Sequence, residues 1–102
     1  MNREYIGKIE DFPIHKATAI NAIGQDIVVY RTNKRIYTFI NICSHEHFPL
    51  EDGEYDENTV TCIHHGAKYD LETGKVLALP ATSPIKIYKN EIIEGKVYII
   101  KG

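Results

Sequence analysis

Apolar and polar positions change over in short runs along this chain, and no stretch keeps a helical period long enough to place a long helix. Ile27-Val28-Val29-Tyr30 and Arg35-Ile36-Tyr37-Thr38-Phe39-Ile40 are rich in β-branched and aromatic residues, and the polar Arg31-Thr32-Asn33-Lys34 between them predicts a hairpin turn. Similar punctuation recurs at Gly24-Gln25-Asp26, Asp56-Glu57-Asn58, Thr73-Gly74 and Glu94-Gly95, the spacing of an all-β sandwich or barrel. His15 to Ile23 fits two templates, a helical stripe of Ala17, Ile20 and Ile23 or a strand face of Thr18, Ile20 and Ala22; the strand is preferred. Ile85-Lys86-Ile87-Tyr88-Lys89 alternates, and Lys96-Val97-Tyr98-Ile99-Ile100 is expected to pair with it antiparallel across Glu94-Gly95. Ser44 to Asn58, rich in Glu, Asp, Gly and Pro, is expected to be an exposed connection.

Composition adds limits to this picture. A chain of 102 residues with 43% hydrophobic side chains and no repeat or linker is expected to form a single domain over residues 1–102. Its 12 basic and 14 acidic residues are intermixed, with a net charge of -2, so there is no basic stripe for a nucleic acid. Charges interrupt MNREYIGKIEDF at the start, which argues against a signal peptide or membrane span and for a cytoplasmic protein. Cys43 and Cys62 allow one disulfide at most, and thiols made in a reducing compartment more often serve a metal.

The chemistry gathers around those two cysteines. Four of the five histidines fall in the stretches 43–47 and 62–65, as Cys43-Ser44-His45 with His47, and as Cys62-Ile63-His64-His65; sixteen residues separate His45 from Cys62. Each stretch offers one sulfur and one nitrogen from a predicted strand–loop junction, where a β scaffold can bring distant ligands to one point. Such a donor set suits tetrahedral zinc, or a 2Fe-2S cluster with thiolates on one iron and imidazoles on the other. Structural zinc more often uses loops with two cysteines, and neither loop here has two.

The arrangement Cys-x-His, sixteen residues, then Cys-x-x-His-Gly resembles the Rieske family. The resemblance extends to Pro49-Leu50, to Gly66 and to Tyr69-Asp70-Leu71-Glu72-Thr73-Gly74-Lys75-Val76, and Leu79-Pro80-Ala81 is similar to the proline-containing third loop that covers the cluster in that family. It spans roughly Ile36 to Tyr98. It implies a Rieske-like antiparallel β-sandwich or barrel with a cluster-binding subdomain of loops, one 2Fe-2S cluster, Cys43 and Cys62 on one iron, and His45 and His65 on the outer iron. His47 and His64 are then solvated loop histidines. Some family features are absent: the glycine shortly after the first histidine is replaced by Glu46-His47-Phe48, the proline after the second cysteine by Ile63, and the extra disulfide and serine of high-potential members have no counterpart beside Ser44, His64 and Ala67. Tyr69 stands where a hydroxyl approaches a ligand sulfur in those members.

The resemblance further implies a one-electron carrier whose potential lies within about -150 to +300 mV, in the lower half because Ala67 has no hydroxyl to donate. Its expected partners are a flavin reductase as donor and a terminal oxygenase as acceptor, docking on the tip formed by Glu46, Phe48, Pro49, Ile63 and Pro80. No general base, nucleophile or phosphate loop accompanies the cysteines, so the chain is expected to be no enzyme and to have no small-molecule substrate of its own. Two alternatives remain, the small subunit of an assimilatory nitrite reductase and a zinc-binding interaction module. The Rieske domain of a larger oxygenase is not expected, because a tryptophan common after His-Gly is missing and no catalytic domain follows Gly102.

Overall fold

A computed structural model describes residues 2–43, 48–63, 66–79 and 83–101. The hairpin predicted between Ile27 and Ile40 lies at its centre. Strand β3 (Gln25–Arg31) pairs antiparallel with β4 (Ile36–Ile40), from Ile27 opposite Ile40 to Arg31 opposite Ile36. Its turn is tied by Thr32, whose amide donates to the Arg35 carbonyl at 2.8 Å and whose hydroxyl accepts from the amides of Lys34 and Arg35. Ile27 to Tyr30 are all buried. Alternate residues serve different layers: Val28 and Tyr30 join the largest cluster of buried side chains, while Val29 and Ile27 pack into two clusters on the opposite face. A strand covered on both faces needs such an unbroken apolar run.

His15 to Ile23 takes the strand option as β2 (Ala17–Ala22), paired with β3. The turn between them falls earlier than expected. Ala22 lies opposite Gln25, so the two-residue turn is Ile23-Gly24, with φ of 47° and 72°, and Gln25-Asp26 already belong to β3. Positive φ is rare for a β-branched residue. Here the Ile23 amide donates to Glu4 Oε2 at 3.1 Å, a contact from the far N-terminal strand that local pattern does not carry.

The C-terminal pairing also differs from expectation. β11 (Lys96–Ile100) is flanked by β1 (Arg3–Lys8) and by β10 (Asn90–Ile93), not by the segment from Ile85 to Lys89. β9 (Ile87–Tyr88) instead pairs with β4, Phe39 opposite Ile87 and Thr38 opposite Tyr88. The reason is register. A two-residue turn at Glu94-Gly95 sets Ile93 against Lys96, so β11 has reached Ile99 by the time its partner reaches Asn90; the Ile100 N–H still meets the Lys89 carbonyl at 2.9 Å, and the residues before Lys89 lie past the end of β11.

The third sheet is a meander of β5 (Glu54–Asp56), β6 (Thr59–Thr61), β7 (Lys68–Asp70) and β8 (Val76–Ala78). Gly74, with φ of 81°, ends its last turn, and a Cβ there would stand 2.3 Å from the Ile85 carbonyl oxygen, so this close approach admits only glycine. The stretch expected to be wholly exposed, Ser44 to Asn58, contains a 3-10 turn (Leu50–Asp52) as well as β5. Leu50 drops from it fully into the main core. One apolar anchor in a polar segment is enough to pin it to the interior. Among the described residues, no helix is long and apolar enough to cross a membrane.

Candidate metal centre

Cys43 follows the end of β4 and Cys62 follows the end of β6, so both predicted strand–loop junctions are present. Of the proposed ligands, His45 and His65 lie outside the described residues, as do Ser44, Glu46, His47, His64, Pro80 and Ala81. Cys43 and Cys62 are 1% and 4% exposed. They come from different sheets yet belong to one contiguous cluster of buried side chains with Leu50, Val60, Ala67, Tyr69, Leu71 and Ile85. The tertiary fold thus brings the two sulfur-bearing stretches together.

The two loops close in the same way. The Cys43 amide donates to the Phe48 carbonyl at 2.7 Å, and the Cys62 amide donates to the Ala67 carbonyl, also at 2.7 Å. In both, a cysteine N–H meets the carbonyl five residues on. In the second loop the Gly66 amide adds a bond to the Cys62 carbonyl at 3.0 Å. Backbone groups next to the sulfurs are therefore satisfied inside the loops, as burial demands.

Tyr69 links the two sides. It stands on β7 opposite Val60, fully buried, and its Oη lies 3.3 Å from Cys43 Sγ. A hydroxyl at that distance is placed to donate to a thiolate sulfur. The sequence-based expectation for Tyr69 is met across 26 residues of separation.

The foot of the first loop holds groups with no signature in the sequence. Tyr55 Oη donates to the Leu50 carbonyl at 2.6 Å, and its ring stacks on Tyr30 with centroids 4.5 Å apart. Burial, reinforced by the carboxylate of Glu51, by Tyr30 and by the carboxylate of Asp52, raises the pKa of the Tyr55 phenol and keeps it a neutral donor. Asn41 and Glu51 exchange hydrogen bonds beside it. At the tip, Pro49 and Ile63 are exposed, whereas Phe48 is half-buried and packs against the core. Leu79, 77% exposed, belongs to the segment expected to cover the cluster but was not counted among the tip residues from sequence.

Two buried sulfurs from two loops, one of them facing a hydroxyl, fit a metal group whose inner end is held by thiolates in a dry interior. Pro49 and Ile63, flanking the candidate imidazoles, are exposed, so an imidazole ligand from either loop would leave the other end of that group near the surface. Among the described residues no three His, Cys, Asp or Glu side chains form a metal-binding group, the candidate imidazoles lying outside them.

Comparison with known proteins agrees with this arrangement. Residues 2–89 match the family described as Rieske [2Fe-2S] domain. The 3-phenylpropionate/cinnamic acid dioxygenase ferredoxin subunit of Escherichia coli (strain K12) is 33% identical over 100 residues, covering 97% of this chain and 93% of that protein. Among solved structures, the ferredoxin of carbazole 1,9a-dioxygenase from Nocardioides aromaticivorans IC177 superposes with a TM-score of 0.92 over the whole of both chains at 22% identity, a likeness of fold. A complex of reduced oxygenase and oxidized ferredoxin in carbazole 1,9a-dioxygenase contains a chain that is 25% identical, with a TM-score of 0.87, covering 96% of this chain and 92% of that one.

Proposed function

This chain belongs to the Rieske 2Fe-2S family, and on that premise we propose that it is an electron carrier that passes single electrons from a flavin reductase to a terminal oxygenase, with Cys43, His45, Cys62 and His65 as the ligands of its cluster. When bound, a Rieske-type 2Fe-2S cluster supplies a one-electron couple at higher potential than an all-cysteine cluster. Cys43 and Cys62 hold the buried end. His45 and His65 hold the outer end. The Tyr69 hydroxyl donates to Cys43 Sγ, which favours the electron-rich state of that sulfur. Pro49, Ile63 and Leu79 form an apolar rim for brief docking of a redox partner.

The observation that carries this reading is the burial of two cysteines, closed by matching hydrogen bonds, in one cluster of side chains. The acceptor follows from the relatives, which are ferredoxin subunits of dioxygenases, and from the ferredoxin–oxygenase complex. The donor rests on the family resemblance, and the single domain over residues 1–102 and the cytoplasmic location rest on the composition and charge pattern of the sequence. Anaerobic purification from iron-replete cells, with iron and acid-labile sulfide analysis and EPR of the reduced protein, is the test. Equal iron and sulfide with a rhombic signal are expected; a colourless protein carrying zinc would overturn the reading. Stable co-purification with a large sirohaem chain would move the acceptor to a nitrite reductase. With Tyr69 as the side-chain donor identified at the sulfurs and Ala67 offering none, the midpoint lies in the lower half of the family range, and a value above about +150 mV near neutral pH would contradict that.

A further inference from the structure

The first ligand loop leaves β4 at Ile40 and returns at the 3-10 turn Leu50–Asp52, so its two feet share no strand ladder. One side chain joins them. The Asn41 backbone N–H donates to the Asp26 carbonyl at 2.9 Å, which fixes the residue to the start of β3, and its side chain is 8% exposed and faces Glu51. The backbone N–H of Glu51 can only donate, so the atom it meets at 2.9 Å is Asn41 Oδ1. That orientation turns Nδ2 toward Glu51 Oε1 at 3.0 Å, and a carboxylate can only accept. Donor and acceptor needs agree at both contacts. Aspartate at this position would bring a second acceptor against the Glu51 carboxylate, and alanine would offer neither bond.

We propose that Asn41 is a positioning residue for the cluster: its reciprocal hydrogen bonds with Glu51 close the loop that carries Cys43 and His45 and keep Cys43 Sγ in place against Tyr69. This rests on the assignment of Cys43 as a ligand made above. The clasp spans residues 42–50 and adds to the Cys43-to-Phe48 bond within the loop and the Tyr55-to-Leu50 bond at its foot. A loop closed beforehand offers its ligand without a fresh ordering cost each time the cluster binds. Loss of the clasp loosens the sulfur and its hydroxyl partner together.

The test uses four variants of the full chain: Asn41→Ala, Asn41→Asp, Glu51→Gln, and the pair Asn41→Asp/Glu51→Gln. Glu51→Gln keeps an acceptor oxygen but not its charge, and falls between the parent and Asn41→Ala. Asn41→Ala loses its cluster to excess chelator about tenfold faster, the effect of removing hydrogen bonds to a charged group. Asn41→Asp loses it faster still, with two carboxylates face to face. The paired exchange restores the parent rate, because the new carboxylate accepts from both the residue-51 amide and the new side-chain amide. The midpoint potential follows the same order, falling in Asn41→Ala and returning in the pair, a readout that a general loss of stability would not move. Amide exchange at Glu51 in cluster-free protein reads the clasp alone: slow in the parent, fast in Asn41→Ala. An iron-bearing parent whose Asn41→Ala variant keeps the parent rate and potential, or a pair no better than Asn41→Asp, overturns the positioning role by itself. A parent that holds no iron overturns the ligand assignment and the positioning role with it, even where Glu51 exchange is slow.

Discussion

The two candidate ligand loops close with the same hydrogen bond but stand on different foundations. The second grows out of a β-hairpin, where Thr61 lies opposite Lys68 and the ladder of β6 and β7 runs up to its base. The first has a strand at one foot and a 3-10 turn at the other, and its base is held by side chains: Asn41 with Glu51, Tyr55 on the Leu50 carbonyl, and Leu50 buried in the core. A backbone ladder depends little on which residues form it, whereas a side-chain base depends on each one. The first loop should therefore be sensitive to side-chain substitution, and the second to backbone conformation.

The largest effect tests whether the loops act as one site at all. Cys62→Ser should abolish iron binding outright, leaving the first loop's Cys43 and His45 unable to hold a cluster alone, while His64→Ala keeps the parent colour; loss of colour in His64→Ala would reassign the second nitrogen ligand. Leu50→Ala strikes the foundation of the first loop, and removal of a fully buried leucine should cost about 3 kcal/mol in denaturant unfolding. A cost below about 1 kcal/mol would mean that the first loop does not depend on its anchor.

Gly66→Ala makes the converse test. Gly66 sits at φ of 79° with open space where a Cβ would point, so the penalty is purely one of backbone, roughly 1–2 kcal/mol. Amide exchange should quicken at Gly66 and Cys62 while the first loop keeps its protection. Tyr69→Phe is the smallest change in structure. Removing a hydroxyl bond worth about 1 kcal/mol to the reduced state should lower the midpoint by roughly 40 mV in film voltammetry. An unchanged potential would show that the hydroxyl does not sense the electron.

Legibility from sequence was uneven for reasons that follow from the same contrast. Strand type was readable where β-branched and aromatic runs met polar turns, as in β3 and β4, and the loop positions of Cys43 and Cys62 followed from it. The Ile23-Gly24 turn was misplaced because its positive φ at isoleucine is held by Glu4 from another strand. Asn41, Glu51 and Tyr55 carried no signal, since a polar residue beside a loop reads the same whether it is solvated or clasped. Tyr69 was found only because the family pattern marks its position.

The order of residues by itself determined the local elements and the kinds of ligand on offer: short strands, their turns, and one cysteine and two histidines in each of two loops. Only the tertiary structure decided that β11 sits between β1 and β10 while β9 crosses to β4, and that Tyr69 reaches Cys43 from another sheet. Local backbone preference acts over a few residues and is written in them. Pairings between distant segments are set by which surfaces fit when every strand competes for a neighbour, and that is a property of the whole packed chain.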